Sequence, residues 1–376
     1  MPKPPPAPPG MPLADIDTPA LILDLDAFER NLARMAEAVR GTGVALRPHA
    51  KSHKCAEIAR RQIALGAVGV CAQKVSEAEA LVDGGIEDVL IANEVVGAAK
   101  LARLAALAKR ARVSVCVDNA AAVAPMQAAA NTAGVKLEVL IEIDVGQHRC
   151  GIEPGEPAAA LARAVADSPN LHFAGLQAYH GSAQHYRSVA ERRAAIAAAA
   201  EMARATKALI ESRGISCPKI TGAGTGTFPF EIESGVYNEI QPGSYVFMDA
   251  DYNRNQWNEG DSPRHPRFEQ SLFVLTTVMS TPTAERAVVD AGLKAHSVDS
   301  GMPRVDGRPG IEFVKASDEH GVLAIERGVK GPSLGEKLKL IPGHCDPTVN
   351  LWDAIVCARA GVVEALWPVS ARGAVW

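Results

Sequence analysis

Apolar residues fall in short runs along the first two-thirds of the chain, separated by longer stretches with helical spacing. ALILDL (20–25) reads as a strand. FERNLARMAEAVR (28–40) follows it, with Phe28, Leu32, Met35 and Val39 on one helical face. Then a rhythm sets in. VALRPH (44–49), VGVCAQ (68–73), DVLIANE (88–94), RVSVCVD (112–118), LEVLIEIDV (137–145), LHFAGLQAYH (171–180), KITGAG (219–224) and NEIQPGSYVF (238–247) read as eight strands. Between most of them lie helical patterns such as SEAEALVDGG, AAKLARLAALAKR and ERRAAIAAAAEMARATKALIESRG.

Strands alternating with helices predict βα units and a parallel sheet. Eight such units point to an α/β class fold, a (β/α)8 barrel. The alternative, an open doubly wound sheet, lacks a GxGxxG after its first strand. From residue 266 the texture changes to short strands and turns, as in SLFVLTTVMS, RAVVDAG, GVLAIER and KLKLIPGH. The expected organisation is therefore an N-terminal arm and strand (1–25), a barrel (26–265) and an all-β C-terminal domain (266–376). The strand at 20–25 has no barrel partner in this scheme and is expected to join the β region.

Composition narrows the picture. The chain is 376 residues long, 47% hydrophobic, with a net charge of −4. Nothing in that balance suggests nucleic-acid binding. No run of 18 uncharged apolar residues is present, so no membrane span is expected. Seven cysteines without a CxxC pair predict reduced, mostly buried thiols, and with them a cytoplasmic setting. The opening MPKPPPAPPGMPLAD lacks the apolar core of a secretory signal and is expected to form an extended, polyproline-like arm; an organelle-targeting remnant is the other reading.

The chemistry concentrates where barrel strands end. VALRPHAKSHKC (44–55) places His49, Lys51, His53 and Lys54 within six positions. Most lysines are solvated surface groups. Lys51, however, directly follows a strand at the catalytic end of a barrel, among other cations. Such surroundings lower a lysine's pKa and let its amine attack a carbonyl. Lys54 is the competitor, three residues further out. An aldehyde cofactor on that lysine points to pyridoxal 5′-phosphate, which needs a phosphate cradle. TGAGTGT (221–227) and PGSY (242–245) lie after the seventh and eighth strands, where barrels bind phosphate. Gly222, Ala223, Gly224 and Thr225, with Gly243, Ser244 and Tyr245, are the candidate contacts. Gln73, Arg149 and Tyr179, at other strand ends, are candidates to face the ring. For Arg149 a surface ion pair with Glu142 or Asp144 is an equal alternative.

GHCDPTVN (343–350) spaces His344 and Asp346 by two residues, so an extended segment would point both the same way. An imidazole and a carboxylate suit Mg2+ or Mn2+. Such a pair also arises by accident.

These motifs together resemble one family. DTPALILDL (17–25), RPHAKSHKC, QKVSEAE (73–79), NEVVG (93–97), EIDVGQHRCG (142–151), GLQAYHGSAQHY (175–186), TGAGTGTF (221–228), GVYNEIQPGSYVFMD (235–249), DEHG (318–321) and HCDPTVN run in the order of the D-threonine aldolase and D-serine dehydratase subfamily, within the alanine-racemase-like, fold-type III pyridoxal-phosphate enzymes. The resemblance implies that Lys51 carries the cofactor as a Schiff base. It implies that Arg149 and Tyr179 contact the ring, that the two glycine-containing loops hold the phosphate, and that His344 and Asp346 hold a divalent metal. His185 matches the base expected to act on the substrate hydroxyl. The dehydratases carry cysteine at the position of Asp346, which favours aldol cleavage here. Ala223 departs from a run of three glycines.

The implied activity is retro-aldol cleavage of D-β-hydroxy-α-amino acids, D-threonine giving glycine and acetaldehyde, by a homodimer. Cleavage of 3-hydroxy-D-aspartate, dehydration of D-serine or 3-hydroxyaspartate, and non-catalytic cofactor binding are the alternatives. The first measurement that separates them is the identity of the products.

Overall fold

The computed structural model describes residues 7–257 and 261–376. β1 (Ala20–Asp24) leads into α1 (Leu25–Val39), whose first turn is capped by the Asp24 carboxylate accepting the Ala27 N–H at 3.0 Å. Eight strands then form one parallel sheet: β2 (Ala45–Leu46), β3 (Val70–Ala72), β4 (Asp88–Glu94), β5 (Arg112–Val117), β6 (Leu137–Glu142), β7 (Leu171–Ala178), β8 (Ile220–Gly222) and β9 (Glu239–Ile240). The helices that follow β2 to β8 in turn are α2 (Ala56–Ala64), α3 (Val75–Asp83), α4 (Ala98–Leu107), α5 (Val123–Ala133), α6 (Glu156–Ala166), α7 (Val189–Ser212) and α8 (Phe228–Glu233).

The sheet runs β2-β9-β8-β7-β6-β5-β4-β3. It closes on itself where Val68 N–H donates to Leu46 O (2.9 Å), Cys71 N–H donates to Pro48 O (2.8 Å), and a single parallel bridge joins His49 to Cys71. This is the barrel that the βα rhythm predicts. Alternation along the strands sorts the side chains: Leu90, Ala92, Cys116 and Leu140 point inward, while Val89, Ile91, Val115 and Ile141 pack under the helices.

Two expected strands are much shorter than their apolar runs. VALRPH supplies only Ala45–Leu46, and NEIQPGSYVF only Glu239–Ile240, followed by a 3-10 turn at Ser244–Val246. Pro48 and Pro242 have no N–H to give to a ladder, so the regular strands stop short of them, although His49 N–H still donates to Pro242 O at 3.2 Å.

The remaining strands are β10 (Leu272–Thr283), β11 (Arg286–Val289), β12 (Arg304–Val305), β13 (Ile311–Ala316), β14 (Gly321–Ile325), β15 (Lys337–Ile341), β16 (Ala354–Arg359) and β17 (Val362–Pro368). They form a second, mostly antiparallel sheet in the order β13-β14-β11-β10-β1-β16-β17, with β15 pairing β10 and β12. β1 is inserted between β10 and β16. One apolar cluster spans both units: Phe28, Leu32 and Met35 of α1 pack with Leu272, Val274, Leu340 and Trp367 of the β sheet and with Phe247 at the barrel end. From residue 7 onward the N-terminal arm lies on β17, through Gly10 N–H to Val363 O (2.8 Å) and Leu13 N–H to Gly361 O (2.9 Å). Residues 1–6 fall outside the described residues.

Candidate active site

The C-terminal ends of the barrel strands and the segment after β15 enclose a polar cavity of about 310 Å3. Lys51, Gln73, Arg149, Tyr179, His185, Ala223, Gly224, Thr225, Gly243, Ser244, His344 and Asp346 all line it. Gly222 and Tyr245 do not. Gly222 completes β8, and the Tyr245 ring is buried against Phe268, its hydroxyl accepting from Gln62 Nε2 at 3.0 Å. Tyr245 contributes only its backbone N–H, donated to Thr225 Oγ1 at 3.0 Å.

The turn after β2 sends its four basic side chains to four places. His49 Nε2 meets Gln73 Oε1 at 3.1 Å. His53 is buried, with Nδ1 accepting the Cys55 N–H at 3.1 Å. Lys54 points away from the cavity, toward the C-terminal segment. His49 lines the cavity edge, and Lys51 reaches into it, where its amine contacts the Asp346 carboxylate. Burial opposes charge on Lys51, but Asp346 outweighs burial and holds the ammonium above the ordinary lysine range. The lowering expected from neighbouring cations is thus reversed by a carboxylate from the β region. The cations act on His49 instead, where burial and the Lys51 charge push the imidazole down to about 3.

Arg149 stacks 6.0 Å from the Tyr179 ring centroid. Among the described residues it makes no ion pair. Asp144 is occupied with the N–H groups of Gly146 and His148. Glu142 is pushed up to about 8 by burial and the Glu94 carboxylate beside it, so it offers no full negative charge near pH 7.

Ala223 has φ +71°, a left-handed conformation that a side chain resists. Its neighbours are braced: a Cβ on Gly224 would lie 2.5 Å from Gln184 Oε1, and one on Gly243 would lie 2.8 Å from His49 O. Thr225 Oγ1 already accepts a backbone N–H, which leaves its hydroxyl proton to donate into the cavity. Behind it, Gln241 Nε2 donates to Gln177 Oε1 (2.8 Å) and Thr221 Oγ1 (2.8 Å), while Gln177 Nε2 donates to Gln241 Oε1 (3.1 Å). A primary amine, a guanidinium over a phenol ring, and a braced loop with the Thr225 hydroxyl proton to donate fit an anionic aromatic aldehyde. The volume suits a small molecule of that size.

The other side of the cavity is acidic. His344 precedes a short helix, α9 (Cys345–Val349), in extended conformation (φ −143°, ψ 124°), and Asp346 stands in the first turn of that helix. The two side chains converge because the backbone bends between them, not because the segment is extended throughout. Asp299 Oδ2 lies 2.8 Å from His344 Nδ1, so Nε2 is the nitrogen left for the cavity. Asp249, fully buried, accepts the Cys345 N–H at 2.9 Å and fixes the turn. Burial raises Asp346, yet Lys51 and His344 hold it below the usual carboxylate range. An imidazole and an ionised carboxylate in this setting form a donor set that a divalent cation would accept.

His185 stands at the mouth, with Nδ1 2.5 Å from Asp251 Oδ2. Burial raises Asp251, but its bonds from His185 and Arg187 outweigh this and keep it well below the usual range. A larger, more apolar groove of about 870 Å3 lies between α4 and α5, with Asp118, Asn119 and Thr132 as its polar lining. It holds no lysine, arginine or histidine.

The pattern "Alanine racemase, N-terminal domain" matches residues 23–251, and "Putative serine dehydratase domain" matches residues 271–358. A D-threonine aldolase of Arthrobacter sp. is 52% identical over 98% of this chain and 96% of that protein. The chain belongs to the D-threonine aldolase family. A 3-hydroxy-D-aspartate aldolase of Paracoccus denitrificans (strain Pd 1222) is 49% identical over 98% of this chain and 95% of that protein. The crystal structure of D-threonine aldolase from Filomicrobium marinum superposes with a TM-score of 0.95 at 53% identity, covering 99% of each chain. In this member of the D-threonine aldolase family, sequence reasoning missed several lining residues: His49, Gln147, Gln177, Ser182, Gln241 and Tyr252. Gln177 and His49 lie on runs read as strands, where a polar residue among apolar ones is the available signal. Asp251 and Asp299 carried none, being distant in sequence from the histidines they orient.

Proposed function

We propose that the chain cleaves D-β-hydroxy-α-amino acids by retro-aldol reaction, D-threonine giving glycine and acetaldehyde, as a carbon–carbon lyase. The observation that carries this reading is that Lys51 from the barrel and Asp346 from the β region meet in one cavity, with His185 lining the same cavity. The relatives named as aldolases support it.

Lys51 is the residue to hold pyridoxal 5′-phosphate, which when bound supplies the electron sink for breaking the Cα–Cβ bond. Arg149, Tyr179 and Gln73 orient the ring. Ala223, Gly224, Thr225, Gly243 and Ser244 hold the phosphate, with Gly222 and the Tyr245 N–H supporting that loop from behind. His344 and Asp346 would hold Mn2+ or Mg2+, whose charge lowers the pKa of a neighbouring hydroxyl. His185, with Nδ1 fixed by Asp251, keeps Nε2 free to take the proton from the substrate's β-hydroxyl. Asp251 holds the ring in that orientation. Asp346 in place of cysteine favours cleavage over dehydration.

The proposal extends to the assembly. One chain leaves half of the His185 side chain exposed, which supports a homodimer whose second copy helps cover the mouth. A division into an arm and strand (1–25), barrel (26–265) and β domain (266–376) agrees with the two separate sheets. Seven free cysteines, six of them buried, support a reducing cytoplasmic setting; among the described residues, no helix is long and apolar enough to cross a membrane.

The test is a product assay on protein supplied with pyridoxal phosphate, D-threonine and Mn2+, repeated with EDTA. Acetaldehyde and glycine that disappear with EDTA and return with metal are expected. With 3-hydroxy-D-aspartate, glyoxylate and glycine would mark that substrate as the better one. Ammonia with an oxo acid would overturn aldol cleavage in favour of dehydration.

A further inference from the structure

Lys54 is a buried cation, 8% exposed, in a left-handed conformation (φ +50°). Both features are costly, and neither serves the cavity. Its amine donates to two carbonyls of the C-terminal segment, Ala374 O at 3.2 Å and Ala371 O at 3.4 Å. The segment answers: Ala371 N–H donates to Lys54 O at 2.9 Å. Two residues further on, Ala56 N–H donates to Ser370 Oγ at 3.4 Å. The far end of the segment is fixed as well, with Trp376 O accepting Ser76 Oγ at 2.6 Å and Ser76 N–H at 3.2 Å.

Ser76 adjoins a second route to the same turn. Glu77 Oε2 accepts the Gln73 N–H at 3.0 Å, Gln73 Oε1 meets His49 Nε2 at 3.1 Å, and His49 Nδ1 accepts the Lys51 N–H at 3.4 Å. The C-terminal segment therefore grips the Lys51 turn from one side through Lys54. From the other side it acts through α3.

We infer that residues 369–376 and Lys54 form a strap that seats the Lys51 turn, with Lys54 a positioning residue for the cofactor lysine. This rests on the reading of Lys51 as the residue that holds pyridoxal phosphate. A chain that needed only packing at position 54 would use an apolar side chain, since a buried ammonium is expensive to desolvate. What the ammonium adds is direction, because its acceptors are two carbonyls on one passing segment.

The experiment measures binding of pyridoxal phosphate, by the absorbance of the protein-bound cofactor, in Lys54→Met, Lys54→Arg and a chain ending at Val369. Thermal melting of each cofactor-free protein is measured alongside, and no substrate is used. Losing charged hydrogen bonds should weaken cofactor binding about tenfold in Lys54→Met. The shortened chain should lose more, Lys54→Arg should recover most of the loss, and the melting temperature of Lys54→Met should stay near that of the parent. If the shortened chain does not fold, the Met and Arg pair still decides. Parent-like affinity in Lys54→Met, or a loss that merely follows a lower melting temperature, overturns the strap. A parent protein that binds no cofactor overturns the reading of Lys51 and the strap's role with it.

Discussion

The two walls of the cavity hold their groups by different means. On the barrel wall the supports are neutral: the Gln177–Gln241 amide pair, Thr221, Thr225, and Gln73 against His49. At the mouth and on the wall from the β region they are charged: Asp251 on His185, Asp299 on His344, and Asp346 reaching across to Lys51. Neutral networks keep their shape whatever the local charge. Paired charges respond to every proton or cation that arrives. The first arrangement suits a resident ring and phosphate, the second a cation and a proton in transit.

Substitutions at the two contacting ends test that division most severely. Lys51→Ala should abolish the bound-cofactor absorbance along with activity. Asp346→Ala should reduce activity to its metal-free level while the absorbance remains. A variant at Asp346 that also loses cofactor would erase the distinction between the walls. His185→Ala should slow turnover by about 10²–10⁴-fold, the usual contribution of a general base, with cofactor binding intact by titration. Asp299→Asn weakens the acceptor for His344 Nδ1–H. Metal affinity, read from activity against free Mn2+, should fall about 10- to 100-fold.

Acid separates the regions more gently. His296, in the β region, is fully buried, edge-on to Phe313. Burial pushes it down to about 4. The unfolded chain takes up a proton near pH 6.5 and the folded one does not, so stability falls as pH drops from about 6.5 toward 4. The loss from this one group is about 3 kcal/mol. Denaturant titrations across that window should show a shallower slope in His296→Phe. The smallest effect concerns Ala223. Glycine there removes the left-handed strain and should stabilise the cofactor-free protein by about 1 kcal/mol in thermal melts.

The sequence made the barrel and the cavity-facing lysine legible because both depend on local order: strand, turn, helix, with Lys51 just past a strand. Lys51 and Lys54, three residues apart, were harder to separate, since their roles are decided by which segment passes each one. Tyr245 was misplaced because a 3-10 turn sends neighbouring side chains in different directions. His344 and Asp346 do line one cavity, but the bend that brings them together comes from a helix start hidden in CDPTV and not from an extended segment. Asp251 and Asp299 lie 66 and 45 residues from their histidines. No spacing rule reaches that far.

The closure of the barrel has a consequence of its own. Every other junction in the ring is a ladder of paired residues, but β2 and β3 meet at the single His49–Cys71 bridge. That rung lies two positions before Lys51. Local opening starts where pairing is thinnest, so amide protons at this junction should exchange with solvent sooner than those of the remaining strands. Lys51 therefore sits beside the thinnest rung of the ring, and faster exchange there than at the long central strands would mark its turn as the first part of the barrel to loosen.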